Sequence, residues 1–174
     1  MLDILQTRRS IRKFKNQSVE ENKIDRIIKS ALLSPSSMNT RPWEFVIVDD
    51  SHIISELSKC KPSGADFLSG APLAIVVLGD ENKSNAWIED TSIASIIMQL
   101  EAHALGLGSC WIQIRGRKHE DGYFAEDYIQ RLLSIPKHLR VESILAIGYP
   151  DKEKSPHAND EMLFDRVHRN SYKI

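Results

Sequence analysis

The chain has 174 residues, enough for a single domain that hides roughly 70% of its unfolded surface, so neither a disulfide nor a structural metal is needed to hold its core. Its 23 basic and 24 acidic residues leave a net charge of -1, which speaks against a protein whose main task is coating nucleic acid or an anionic membrane. The longest apolar run, Ala71 to Leu78, is strand-sized and well short of the ~20 residues that span a bilayer.

In chain order, the first informative stretch is Arg8-Arg9-Ser10-Ile11-Arg12-Lys13-Phe14, cations gathered around a hydroxyl and closed by an aromatic ring. No apolar leader precedes it, so a cytoplasmic protein is expected. Ser18-Val19-Glu20-Glu21 has the form of a capping box, and Val19, Ile24, Ile27, Ile28, Ala31 and Leu32 recur at helical spacing up to Pro35, which predicts a helix over 19–33. Glu44 to Val48 and Leu73 to Leu78 are β-branched runs bounded by Pro, Asp or Gly and predict strands. Between them, 51–59 reads as a short amphipathic helix and 61–64 as a loop.

The longest helical signal covers 86–105, with Ile93, Ile96, Ile97, Leu100 and Ala104 on one stripe and Gly106 as the stop. Ala94, Met98 and Ala102 lie off that stripe. A helix apolar on more than one side is either central in its fold or shared with another subunit. Strands are predicted over 108–114 and 141–148, and a helix over 125–133. With no internal repeat or linker, residues 1–174 read as one domain of mixed helix and strand.

Guanidinium forks beside a hydroxyl suit a phosphate ester, which asks for several charge-assisted donors on one anion. Alone, such a cluster reads as an ordinary solvated helix end. A second segment, Ser34-Pro35-Ser36-Ser37-Met38-Asn39-Thr40-Arg41-Pro42-Trp43, combines small residues, an amide that both donates and accepts, and a rigid exit into a strand. Alone it reads as a turn.

Together, in this order, and continued by Gly106-Leu107-Gly108-Ser109-Cys110-Trp111 and Ile147-Gly148-Tyr149-Pro150, these segments resemble the nitroreductase family of FMN-dependent oxidoreductases. The resemblance covers nearly the whole chain. It implies an α+β fold, a three-layer sandwich with a mixed, mainly antiparallel sheet flanked by helices, and a homodimer with FMN at the subunit interface. The implied chemistry is ping-pong transfer of hydride from NADH or NADPH through FMN to an electron-poor acceptor such as a nitroaromatic or quinone. Arg8, Arg9 and Ser10 would surround the FMN phosphate and ribityl chain, and Arg12 would sit by flavin N1, where a fixed cation favours the reduced ring. Ser36 and Asn39 would address the ribityl and pyrimidine side, and the backbone around Trp111, Ile112 and Gln113 would approach N5 and O4. No side chain is assigned as an obligatory acid or base, because such a cofactor carries the redox chemistry.

Two departures stand out. Ile97 occupies a place on the long helix where the family often has Asn, and the tail leaves Lys152, Lys154 and Arg166 as alternatives for a last phosphate-binding cation. The remaining candidates have plainer readings. Cys110 in an apolar strand reads as a buried structural thiol, and the six histidines never fall at a metal-binding spacing, so no metal site is expected. Gly106-Leu107-Gly108 follows a helix and precedes a strand, the reverse of a dinucleotide fingerprint. Trp111 reads as core, and Arg115 to His119 reads as a basic surface loop. A flavin store or sensor without turnover, a reductive dehalogenase of the same fold, and a binder of nucleic acid or phosphoprotein through Arg8 to Lys13 are the competing functions.

Overall fold

In the computed structural model, which describes residues 1–172, the most buried element is strand β2, Leu73–Asp80, covered along its whole length. A strand apolar on both sides needs a layer on each face. β2 accordingly lies inside a four-stranded sheet with β1 (Trp43–Val48), β3 (Gly108–Gln113) and β4 (Leu139–Gly148), in the order β1-β2-β4-β3. All three pairs are antiparallel, and a parallel bridge joins Ser10 to Ser109 outside the named strands.

The strand period of two sorts side chains between the layers. Leu73, Ile75 and Val77 of β2, with Leu145 and Ile147 of β4, pack against helices α2 (Glu21–Leu32) and α4 (Trp87–Ala104). Ala74, Val76 and Leu78, with Ile144 and Ala146, face α3 (Ser51–Leu57), α5 (Ala125–Leu132) and the 3-10 turn Asp66–Gly70. The fold is therefore α+β in three layers. A register shift between Val77 and Leu78 leaves Glu142 of β4 without a β2 partner. A short helix α1, Leu2–Thr7, precedes these elements, and the tail returns over it through His157 N–H to the Gln6 carbonyl at 2.8 Å.

Two sequence expectations are corrected. The Ser18 capping box does not form, and α2 starts at Glu21 with Glu20 as its N-cap and no side-chain cap. The Glu20 carboxylate reaches the end of β4, accepting from the Tyr149 hydroxyl at 2.7 and 2.8 Å. On α4 the buried face is not the isoleucine stripe. Ala94, Ser95, Met98 and Ala102 are buried, while Ile93 and Ile96 remain 38% exposed. Ala94, Ser95 and Ala102 let the helix lie close on the layer beneath it, Met98 fills the space between them, and Ile93 and Ile96 fall outside that face. Gly106 ends α4 as expected, at φ +77 in the left-handed region that glycine enters without strain. Among the described residues no helix is long and apolar enough to cross a membrane.

Candidate functional site

β3 is the last strand of the sheet, so one of its edges is free. Ile114 N–H donates to the Glu142 carbonyl at 3.2 Å, which fixes the alternation. The backbone groups of Cys110 and Ile112 face β4, and those of Ser109, Trp111 and Gln113 face the free edge. The N-terminal segment covers only the start of that edge, where Ile11 N–H donates to the Ser109 carbonyl at 3.0 Å. At the far end Lys61 Nζ donates to the Gln113 carbonyl at 3.0 Å. The Trp111 and Gln113 N–H groups lie along the edge between these two contacts.

Gly108 makes the close approach possible. A Cβ there would stand 2.7 Å from Ile11 Cγ1 and 2.8 Å from its Cβ, a separation that carbon atoms do not tolerate. The segment is held on its other side by the chain leaving β4, with Lys15 N–H on the Tyr149 carbonyl and Asp151 N–H on that of Lys13. Arg8 to Lys13 are thereby pinned between β3 and the tail.

A two-lobed cleft opens there. One lobe, of about 330 Å³, is lined by Thr7, Arg9, His103 and Gly108 among others, and the second, of about 320 Å³, by Arg12, Lys13, Asp151 and Lys152. Ile11, Glu153 and Lys154 line both. Arg9 is held by the Ser155 carbonyl, Lys154 Nζ donates to the Ser10 carbonyl at 2.8 Å, and the Arg12 guanidinium lies 5.7 Å from the centre of the Phe67 ring.

The electrostatics report the same convergence. Burial pushes the Cys110 thiol up, opposed by the charges of Arg12, Lys154 and Arg8 and by a hydrogen bond from Ser10. These groups all act on one position of β3. His103, 2.8 Å from the Thr7 hydroxyl, is held below its ordinary value by burial and then by the Arg8 charge. Several cations directed at one concave surface make a site for a multiply charged anion, and edge N–H groups beside it suit the carbonyl and nitrogen acceptors of a flat polar ring.

Of the residues singled out from sequence, Arg9 and Arg12 line the cleft, Ser10 lies between the lining residues Arg9 and Ile11 with its carbonyl accepting from Lys154, and Arg8 is within electrostatic reach. Trp111 and Gln113 present backbone to the edge. Ile112 does not, because its backbone faces β4 and its side chain is buried in the core. Ser36 and Asn39 are elsewhere. Their loop is tied to the start of α4 by Ser37 N–H to Asp90 Oδ1 at 2.8 Å, whereas the cleft adjoins the other end of that helix at His103. Asp90 and His103 are separated by about 20 Å along the helix axis. The loop is strained, with Met38, Asn39 and Arg41 at φ 49, 56 and 48. It is braced by Asn39 Oδ1 accepting from Arg41 Nε at 2.9 Å and Ser36 Oγ accepting from Arg41 N–H at 3.0 Å.

The structure separates the tail cations that sequence left open. Lys154 lines both lobes, Lys152 one, and Arg166 neither. Thr7 and His103 carried no sequence signal, since only the return of the tail and the end of α4 bring them to the cleft. Cys110 is buried as expected, and Trp111 is partly buried, its indole N–H on Gln113 Oε1 at 2.9 Å.

Comparison with known proteins agrees with this geometry. A model of the nitroreductase family matches residues 5–61 and 59–149. An FMN-dependent nitroreductase from Clostridium difficile R20291 is 47% identical, with a TM-score of 0.97 over 99% of this chain and 100% of that one. A protein of Methanothermobacter thermautotrophicus, provisionally named NADH dehydrogenase/NAD(P)H nitroreductase, is 36% identical over 97% of this chain and 85% of its own length. An iodotyrosine deiodinase of Thermotoga neapolitana is 24% identical over 94% of this chain and 95% of its own. On sequence and on fold alike, this chain belongs to the nitroreductase family.

Proposed function

We propose that the chain is a single-domain, FMN-dependent oxidoreductase that takes hydride from NADH or NADPH and passes it, in a separate ping-pong half-reaction, to an electron-poor acceptor such as a nitroaromatic or quinone. The observation that carries this reading is the convergence of Arg9, Arg12 and Lys154 on a cleft beside an open strand edge. The donor set suits FMN. Arg8, Arg9, Ser10 and Lys154 would hold the phosphate and ribityl chain in the space that Gly108 helps keep open. Arg12 would neutralise charge on the pyrimidine side of the ring, and the Trp111 and Gln113 N–H groups would orient its polar edge. FMN, when bound, supplies the capacity to accept and release hydride, and the protein positions and tunes it. The C. difficile relative is named as FMN-dependent and the archaeal one for NADH and NAD(P)H, which supports both cofactor assignments.

A homodimer completes this reading. Ser36 and Asn39 are too far from the cleft of their own chain to share its ligand, so the partner subunit's loop would supply them. The exposed isoleucines of α4 provide an apolar surface for that contact. The cytoplasm is the proposed compartment. A reductive dehalogenase is the second reading, favoured by the deiodinase relative at lower identity than the reductase ones.

An absorption spectrum of the purified protein, followed by anaerobic NADH or NADPH, tests the assignment. A flavin band that bleaches supports the reductase. A band that persists points to storage or sensing, and no band after FMN is supplied removes the flavin reading.

A further inference from the structure

Beyond the far end of β3, about 17 Å along the strand from Gly108, lies a second cationic pocket of about 290 Å³ whose lining includes Lys61, Gln113, Arg117 and Lys118 and no acidic residue. Among the described residues none of these three cations forms an ion pair, in contrast to Arg115, which is paired with Glu142 at 3.2 Å. Lys61 is part-buried, and burial together with the Arg117 charge pulls its ammonium below the ordinary value, Cys60 and Asp66 acting the other way. Like charges held together without an ion pair cost free energy that a bound anion recovers.

The pocket is built rather than incidental. A turn with Arg117 N–H on the Ile114 carbonyl leads into the bridge between Lys118 and Phe124. The next residue, His119, is buried and stacked between Tyr123 and Tyr128 at 4.7 and 4.9 Å. Lys61 is fixed by the Gln113 carbonyl at 3.0 Å, and the Gln113 side chain donates to the Arg115 carbonyl at 3.1 Å. Gln113 thus belongs both to the free edge and to the pocket wall.

We infer that Lys61, Arg117 and Lys118 form a subsite for a phosphate of the reduced nicotinamide nucleotide, placed so that the nicotinamide reaches the exposed edge at Trp111 and Gln113. The inference rests on the flavin reductase reading and deepens it by assigning the group that recognises the reductant. A carboxylate on the electron acceptor has the same anionic chemistry, and the experiment separates the two.

The FMN-loaded protein and the R117A/K118A double variant, which truncates two exposed side chains, are compared in two ways. Calorimetry with ADP-ribose and its 2′-phosphate, which carry the phosphates without the redox ring, is expected to show binding weakened by about tenfold or more in the variant, equivalent to about 1.4 kcal/mol. Stopped-flow reduction is expected to show the same loss in Kd for NADH or NADPH, but not for 1-benzyl-1,4-dihydronicotinamide, which has no phosphate. A loss confined to the 2′-phosphorylated ligands places that phosphate in the pocket, and an equal loss for both kinds places the diphosphate there. Unchanged binding of both ADP-riboses overturns the inference, as does a change only in the KM of a carboxylate-bearing acceptor or an equal loss with the benzyl compound. ADP-ribose binding that depends on Arg117 and Lys118, in a protein whose flavin no dihydronicotinamide reduces, upholds the subsite and defeats the reductase reading instead.

Discussion

Arg9 and Lys154 come from opposite ends of the chain to one cleft, and each is anchored by a carbonyl of the opposing segment, Ser155 for Arg9 and Ser10 for Lys154. Charge-assisted contacts of this kind are worth about 1.5–3 kcal/mol. Arg9→Ala and Lys154→Ala are therefore each expected to weaken FMN binding by about tenfold or more, measured by fluorescence titration of the apoprotein. Lys152→Ala, on a side chain reaching one lobe only, is expected to have the smaller effect. Gly108 makes a different kind of contribution, since the methyl of Gly108→Ala would meet Ile11 close to its backbone. Forcing that contact costs about 1–3 kcal/mol, visible as a drop in the thermal midpoint of about 2–4 °C for each kcal/mol. The cationic cluster was legible from sequence because its members are neighbours in the chain. Lys154 was not, because nothing local says which tail residue returns to β3.

Among the elements, β4 carries the most unusual residue. The register shift places Glu142 in the interior with its Oε2 lacking a hydrogen-bond partner, although Arg115 Nε stands 3.2 Å away as an ion pair. Burial, helped by Glu89, raises its pKa, and the opposing Arg115, Gln113 and Ser92 do not restore it. A raised folded value means that the folded state binds the extra proton, so stability is lost as pH rises from the unfolded value through the folded one. Glu142→Gln, which keeps the shape without the charge, is expected to melt above the wild type near pH 8, with the gap closing as pH falls below about 4.5. Thermal unfolding followed across that range checks it. Strand cores and the Gly106 stop were legible because apolar runs and breakers are local signals. The start of α2 was not, because its N-cap Glu20 is held by Tyr149, which is distant in sequence, and the buried side of α4 was not, because the helix is apolar on more than one side and only its packing against α2 and the sheet decides which side is covered.

At the scale of the molecule, the cleft in one chain and the strained Ser36 to Arg41 loop lie at opposite ends of α4, with Ile93 and Ile96 exposed between them. If a second copy covers that helix, charge at its centre prevents association. Ile93→Asp with Ile96→Asp is expected to yield a folded monomer that retains its circular dichroism, elutes at half the wild-type mass by light scattering, and binds FMN at least tenfold more weakly. A wild type that is itself monomeric when loaded with FMN contradicts the dimeric site.

By itself the sequence determined the mixed helix and strand class, the central strands, the family resemblance and the cationic segment at Arg8 to Lys13, since each is written in contiguous residues whose pattern decides their local structure. Only the tertiary structure decided that this segment lies against the free edge of β3, that Lys154 closes the cleft, that Ile112 turns its backbone away from it, and that Ser36 and Asn39 stand apart from it. Those outcomes depend on strand register, on the return of the tail and on the close packing of α4. Each is settled by contacts between residues far apart in the chain, where no local pattern carries the information.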